Sequence, residues 1–239
     1  MRITQNGYVF QLAFLPRLFP VNCYLVEEEH ELTLIDAALP YSHKGILETA
    51  QNIGKPITRI VLTHAHEDHV GSLDSLKRAL PNAKVFISER DASIMAHDLS
   101  LRSNEPQTPI KGGVPKTLQT RPDVLLHDGD TIGSLTAVAA PGHTPGSMAF
   151  LDTRTNALIA GDAFQTRAGL AVAGKINILF PFPAFGTWDK STAIASAEKL
   201  LGLSPSLLAT GHGKMLEAPV THMKQAIAEA NIKLGAITT

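Results

Sequence analysis

The sequence predicts an α+β protein, on three observations. The chain opens with four short strand-like runs separated by turn residues. Helically spaced segments and apolar runs then alternate, and the same alternation resumes in the second half, so that the two halves look like a crude duplication. At 239 residues, 44% hydrophobic and 18% charged, the chain has the composition of a globular protein. Its length suits one core, so residues 1–239 are expected to form a single domain.

The elements follow in order. Residues 2–5, 8–15, 21–26 and 32–35 read as strands, broken by Asn6-Gly7 and by the charged run Glu27-Glu28-Glu29-His30. Ile46, Leu47, Ala50 and Ile53 recur at helical spacing over residues 43–53, and Leu73, Leu76, Ala79 and Leu80 repeat the pattern. Strands at 57–62 and 84–87 alternate with these helices. Further strands are expected at 135–140, 148–151, 157–160 and 207–210. Amphipathic helices should occupy 189–201, with Asp189 as its cap, and 218–234.

Net charge is −1, without a basic run, which argues against a nucleic-acid surface or an anionic-membrane surface. Residues 8–19 are apolar, but Gln11, Pro16 and Arg17 interrupt them and no small-residue cleavage site follows. Nothing approaches the roughly 18 continuous apolar residues of a membrane span. The single cysteine, Cys23, has no internal partner and reads as a small buried hydrophobe in a strand. The default expectation is a cytoplasmic protein with no membrane or nucleic-acid partner and a homodimer left open.

The chemistry is concentrated in His64-Ala65-His66-Glu67-Asp68-His69, directly after the apolar run Ile60-Val61-Leu62. Imidazole nitrogen and carboxylate oxygen are ligands that zinc prefers, and three imidazoles in one turn would repel if protonated. Three more candidate ligands, His143, Asp162 and His212, each lie in a glycine-containing turn after a strand-like run: Pro141-Gly142-His143-Thr144-Pro145-Gly146, Gly161-Asp162 and Gly211-His212-Gly213. Strand ends that converge on one sheet edge could bring all seven groups into one cleft. Glu67 reads as a solvated neighbour. His30, His43, His97, His127 and His222 read as ordinary histidines.

The order of these motifs resembles the metallo-β-lactamase superfamily in its binuclear metal-hydrolase branch. The resemblance spans residues 21–213 and implies a four-layer αββα sandwich, two sheets face to face with helices outside and the site at one edge. It implies that His64, His66 and His143 hold a first metal, that Asp68, His69 and His212 hold a second, and that Asp162 bridges them. Asp36, ending a strand in Leu34-Ile35-Asp36-Ala37, would sit beneath the metal loop and orient a ligand. The implied cofactors are two divalent ions, zinc first, with iron or manganese as alternatives. A hydroxide on such a pair would attack a carbonyl or phosphoryl centre, with Asp68 orienting it and passing a proton to the leaving group.

Departures from named branches narrow the reaction. Asp162 stands where true β-lactamases carry cysteine or serine, and His66 stands where the flavin-coupled di-iron branch carries glutamate. With 27 residues following His212, the C-terminal substrate domain of typical glyoxalase II enzymes is not expected, and a glutathione thioesterase of that design is disfavoured. Acyl-homoserine lactonases share the ligands and size, yet commonly place a tyrosine soon after the bridging aspartate; here the tyrosines are Tyr8, Tyr24 and Tyr41. The leading expectation is hydrolysis of a small carboxylic ester, lactone or thioester with an apolar portion. An apolar stretch from Phe164 to Trp188 could serve as a lid or an interface. A loop at residues 100–122 offers Arg102, Lys111 and Lys116 to a carboxylate. Two alternatives stand beside it: a mononuclear iron dioxygenase acting on persulfides through His64, His143 and Asp162, and a non-catalytic metal-binding protein.

Overall fold

Alternate residues of the central strands face two different hydrophobic cores, and this alternation builds the layers. In the strand Val21–Glu27, Cys23 and Leu25 pack outward under helices, whereas Tyr24 and Val26 pack inward against a second sheet. The computed structural model describes residues 1–113 and 115–238. Val114, inside the loop expected at residues 100–122, lies outside the described residues.

The first sheet holds seven strands in sequential order: β1 (Arg2–Asn6), β2 (Val9–Phe14), β3 (Val21–Glu27), β4 (Leu32–Ile35), β5 (Ile57–Val61), β6 (Lys84–Ser88) and β7 (Val124–Leu126). β1 to β4 are antiparallel. β4 to β7 are parallel, which requires crossover connections, and α1 (His43–Ile53), α2 (Glu67–Val70), α3 (Leu73–Ala79) and α4 (Glu89–Met95) supply them.

The second sheet has six strands in the order β15-β14-β11-β10-β9-β8. They are β8 (Thr131–Ile132), β9 (Leu135–Ala139), β10 (Met148–Asp152), β11 (Ala157–Ile159), β14 (Leu207–Ala209) and β15 (Leu216–Glu217). A short ribbon of β12 (Phe164–Gln165) and β13 (Ala171–Val172) follows a 3-10 turn at Gly161–Ala163. α5 (Phe182–Phe185), α6 (Lys190–Gly202) and α7 (Val220–Thr238) complete the chain; Asp189 caps α6, its carboxylate accepting from the Thr192 amide at 2.7 Å.

Three apolar clusters separate four layers. One lies between the first sheet and α1, α3 and α4, another between the second sheet and α6 and α7. The third lies between the sheets, where Tyr24, Val26, Ile35 and Val61 meet Met148, Phe150, Ile159 and Leu207. This is the αββα sandwich. Phe150 is fully buried at its centre, so Phe150→Ala would cost about 3–5 kcal/mol.

The long elements fall within one or two residues of their expected places, except that the last helix, expected to end at residue 234, continues to Thr238. The departures are short. The four-residue helices α2 and α5, helix α4, and strands β7, β8, β12, β13 and β15 are not legible in the pattern, because two to seven residues show too little of a period. The expected apolar lid over Phe164–Trp188 is accordingly not one loop: Phe164, Val172, Phe180 and Trp188 are buried, and β12, β13 and α5 run through it. Among the described residues, no helix is long and apolar enough to cross a membrane.

Candidate metal centre

Strand ends from both sheets converge at one edge of the sandwich. β4 delivers Asp36, and β5 runs into the turn that carries His64 and His66. α2 then presents Asp68 and His69. From the second sheet come His143, between β9 and β10; Asp162, in the 3-10 turn after β11; and His212, after β14. Ligand atoms of His64, His66 and His143 lie within 4.8 Å of one another. So do those of Asp68, His69 and His212, and those of His64, His69 and Asp162. The structure thus brings together all seven residues singled out in the sequence. Among the described residues, His30, His43, His97, His127 and His222 join no such cluster.

Each of the five imidazoles has one nitrogen tied to an oxygen on the outside of the cluster. His66 Nε2 donates to the Lys111 carbonyl at 2.9 Å, and His212 Nδ1 donates to the Pro20 carbonyl at 2.7 Å. His69 Nδ1 donates to Asp36 Oδ2 at 2.8 Å. The Thr63 hydroxyl donates to Asp36, leaving its lone pair for His64 Nδ1 at 3.0 Å. The Thr187 hydroxyl likewise donates to the Pro183 carbonyl and accepts from His143 Nδ1 at 3.2 Å. Acceptors on the outside fix every tautomer with its lone pair turned inward, the arrangement that metal-binding histidines use.

Several inward atoms lack a hydrogen-bond partner among the described residues. His64 Nε2, His69 Nε2 and Asp162 Oδ1 are buried without a hydrogen-bond partner. His66 Nδ1 and His143 Nε2 face each other at 2.9 Å, and His212 Nε2 is 3.2 Å from Asp162 Oδ2 and 3.4 Å from Asp68 Oδ2. Nitrogen and carboxylate donors turned toward one another in a buried site fit divalent cations.

The electrostatics divide the rings, three of them held neutral and two, His69 and His212, drawn against their burial toward the charged form by the carboxylates that a cation would otherwise neutralise. Burial pushes His64 well below the ordinary histidine value and His66 below it, and it carries His143 down to about 3, so these rings stay neutral. Burial would also depress His69, but Asp36, Asp162 and Asp68 outweigh it and hold the ring well above its usual range. Burial opposes ionisation of Asp162, yet His212 and His69 overcome it and keep the carboxyl well below the ordinary carboxylate range.

Two cross-sheet ties escaped the sequence reading. Gln11 and Asn22, on the first sheet, donate to the Gly213 carbonyl, and Asn22 and Tyr24 donate to that of Thr210, gripping the His212 turn from both sides. On the opposite flank, the fully buried Asp91 accepts from the Ala65 amide at 2.9 Å, from the Thr144 hydroxyl at 2.9 Å and from the Gly146 amide at 2.8 Å. Burial pushes the Asp91 carboxyl up to about 6, while these bonds pull it back. Nothing in the local sequence marks either tie, since each joins segments far apart along the chain. Asp36 is where the sequence placed it, beneath the metal loop.

The cleft above the cluster has a volume of about 350 Å³. Phe19, Leu39, Pro40, Phe182 and Pro183 form an apolar wall, and Glu67, Gly112 and Gly113 line the cleft beside His66. Rings of Phe19, Phe180 and Phe182 stand 5.0–5.5 Å apart, with Phe19 and Phe180 also against His212. Among the described residues, no lysine or arginine lines the cleft. Lys111 serves through its backbone carbonyl while its side chain is exposed, as are Lys116 and Arg102. Gly112, at φ +91°, passes so close to His66 that a Cβ there would fall on the ring.

A family model described as the Metallo-beta-lactamase superfamily matches residues 16–212. The chain is 63% identical over 230 residues to "Uncharacterized protein YobT" of Bacillus subtilis (strain 168), covering 96% of this chain and 99% of the relative. It is 31% identical over 215 residues to "Probable metallo-hydrolase YflN" of the same organism, covering 80% of each. Among solved structures, TTHA1623 in a di-iron-bound form superposes with a TM-score of 0.65 at 27% identity, covering 88% of this chain and 96% of that one. DIM-1 metallo-beta-lactamase, at 15% identity and a TM-score of 0.71 over 96% and 97% of the two chains, shares the fold.

Proposed function

The chain belongs to the metallo-beta-lactamase superfamily, and from that premise we propose that it is a hydrolase that uses two divalent ions, zinc first among them, to cleave a small carboxylic ester, lactone or thioester. The observation that carries the proposal is the inward aim of five imidazoles and two carboxylates at the floor of an apolar-walled cleft. His64, His66 and His143 would hold one ion, and Asp68, His69 and His212 the other, with Asp162 between them. Such ions polarise a carbonyl and acidify water, so that no protein nucleophile is needed.

The protein's own groups then divide the work. Asp68 is the ligand-cluster carboxylate most open to the cleft, 28% exposed at its side chain, and that exposure supports a role in which it would take a proton and hand it to a leaving group. Phe19 and Phe182 would receive an apolar arm of the substrate. With Glu67 at the rim and no lysine or arginine among the described lining residues, a substrate carboxylate would find no side-chain partner on the wall and only the ions at the floor, which favours esters and lactones whose outer arm is uncharged. The di-iron form of TTHA1623 supports iron as an alternative occupant. A mononuclear iron dioxygenase using His64, His143 and Asp162 is the weaker reading, because it leaves His66, Asp68, His69 and His212 turned inward without a task.

Elemental analysis of the purified protein and a panel of esters, lactones, thioesters, phosphodiesters and persulfides test the proposal. About two ions per chain and ester or lactone turnover, lost in a folded Asp68→Ala variant, are expected. One iron per chain with oxygen consumption, or unchanged turnover in Asp68→Ala, would reject it.

A further inference from the structure

The three-imidazole cluster is assembled from two sheets. His64 and His66 stand on the turn after β5 of the first, and His143 on the turn between β9 and β10 of the second. Metal bonding tolerates errors of only about 0.2 Å, and apolar packing between sheets does not by itself fix a turn so closely. Beside one backbone bond, from the Met148 amide to the Thr63 carbonyl at 2.9 Å, a single carboxylate takes hydrogen bonds from both turns. Asp91, at the start of α4, takes the amide of Ala65, which lies between His64 and His66, and the hydroxyl of Thr144 on the same oxygen. Its other oxygen takes the amide of Gly146. Ser88, the cap of α4, closes the arrangement: its hydroxyl donates to the Gly146 carbonyl at 2.6 Å and accepts from the Asp91 amide. Glycine is required at position 146, because a Cβ there would press on Asp91 and Ser88.

We propose that Asp91 is a positioning residue for the three-imidazole cluster: by tying Ala65 to Thr144 and Gly146 it sets the spacing of His64 and His66 against His143, and it does so for this cluster alone. Asp36, by contrast, serves both clusters, since it holds His69 directly and His64 through the Thr63 hydroxyl. A carboxylate is needed because all three partners donate. An amide of the same shape has one accepting oxygen, so whichever way it is turned its NH₂ opposes at least one N–H or O–H donor. The inference rests on the metal-binding half of the functional reading and is independent of the substrate.

The test is metal titration of the metal-free protein with cobalt(II), which reports each site through its own absorption spectrum. The wild-type protein should take two ions. In Asp91→Asn, affinity at the all-nitrogen site should fall by about 10- to 100-fold while the site containing Asp68 keeps its affinity. Thr144→Val, which removes one of the three bonds and keeps the side-chain shape, should weaken the same site by less and serves if Asp91→Asn does not fold. Tyr24→Phe, altering the tie to the His212 turn, is the comparison and should spare the all-nitrogen site. Unchanged affinities in both Asp91→Asn and Thr144→Val, an equal loss at both sites, or a wild-type protein that takes no ion would overturn the inference. A wild-type protein that binds two ions and hydrolyses nothing in the panel removes the proposed function and leaves this role of Asp91 standing.

Discussion

His66 Nδ1 lies 2.9 Å from His143 Nε2, and both nitrogens present lone pairs because the opposite side of each ring already donates its proton to an oxygen. Two lone pairs at hydrogen-bond distance in a buried site repel each other, and a cation beside them removes that repulsion.

Metal removal should therefore destabilise the protein. A ligand that binds only the folded state at about a thousand times its dissociation constant adds about 4 kcal/mol. For a chain of this size that corresponds to a Tm difference on the order of 10 °C. Thermal unfolding with a chelator and with zinc, iron or manganese restored measures it. An identical Tm with and without chelator, in protein shown to lose its metal, would count against the site.

Gly112→Ala should impair the centre without touching a ligand. The new methyl group would fall on the His66 ring, and φ +91° adds backbone strain of about 1–3 kcal/mol. Relief requires the segment to withdraw, which takes the Lys111 carbonyl from His66 Nε2. Expected are weaker binding at the all-nitrogen site and slower turnover with the core intact, read by metal titration and circular dichroism. Wild-type metal affinity in this variant would show that the segment gives way without consequence.

Phe182→Ala tests the apolar wall. The ring is half exposed and packs on Phe19 and Phe180, so its loss should cost the fold little. If the wall receives the substrate's apolar arm, KM for a long-chain ester should rise about 5- to 10-fold relative to a short-chain ester, about 1–1.5 kcal/mol of lost contact, with kcat retained. Equal effects on both esters would move the arm elsewhere.

Asp91 predicts a pH dependence of stability in the metal-free protein. Burial raises its folded-state carboxyl from 3.8 to about 6. A raised folded value means that its stabilising contribution is complete below about pH 4 and is lost as pH rises through 6, by roughly 3 kcal/mol. Wild-type stability relative to Asp91→Asn should decline over that window in urea unfolding. A flat difference between pH 4 and 7 would show that Asp91 does not titrate there.

Much of this protein is written locally. The helix over residues 43–53, the cap at Asp189, the burial of Cys23 and the run from His64 to His69 each depend on neighbours in the chain, so periodicity, turn chemistry and ligand spacing reveal them. Asp162 and His212 were legible only in order, each as a ligand type in a glycine turn after a strand. The short helices α2 and α5 and the division of residues 164–188 into buried ribbon and exposed rim were not, because tertiary packing and not propensity fixes them.

By itself the sequence singled out the seven side chains that form the candidate metal cluster and the strands that bring them to an edge, since residue type, glycine turns and motif order are all local or sequential features. Only the tertiary structure decided how the turns are held: Asp91 bonds Ala65 to Thr144 and Gly146, Gln11, Asn22 and Tyr24 grip residues 210–213, and Lys111 meets His66 with its carbonyl and not its charge. A hydrogen bond between residues tens to hundreds of positions apart leaves no local periodicity, so these partners emerge only once two sheets have packed face to face.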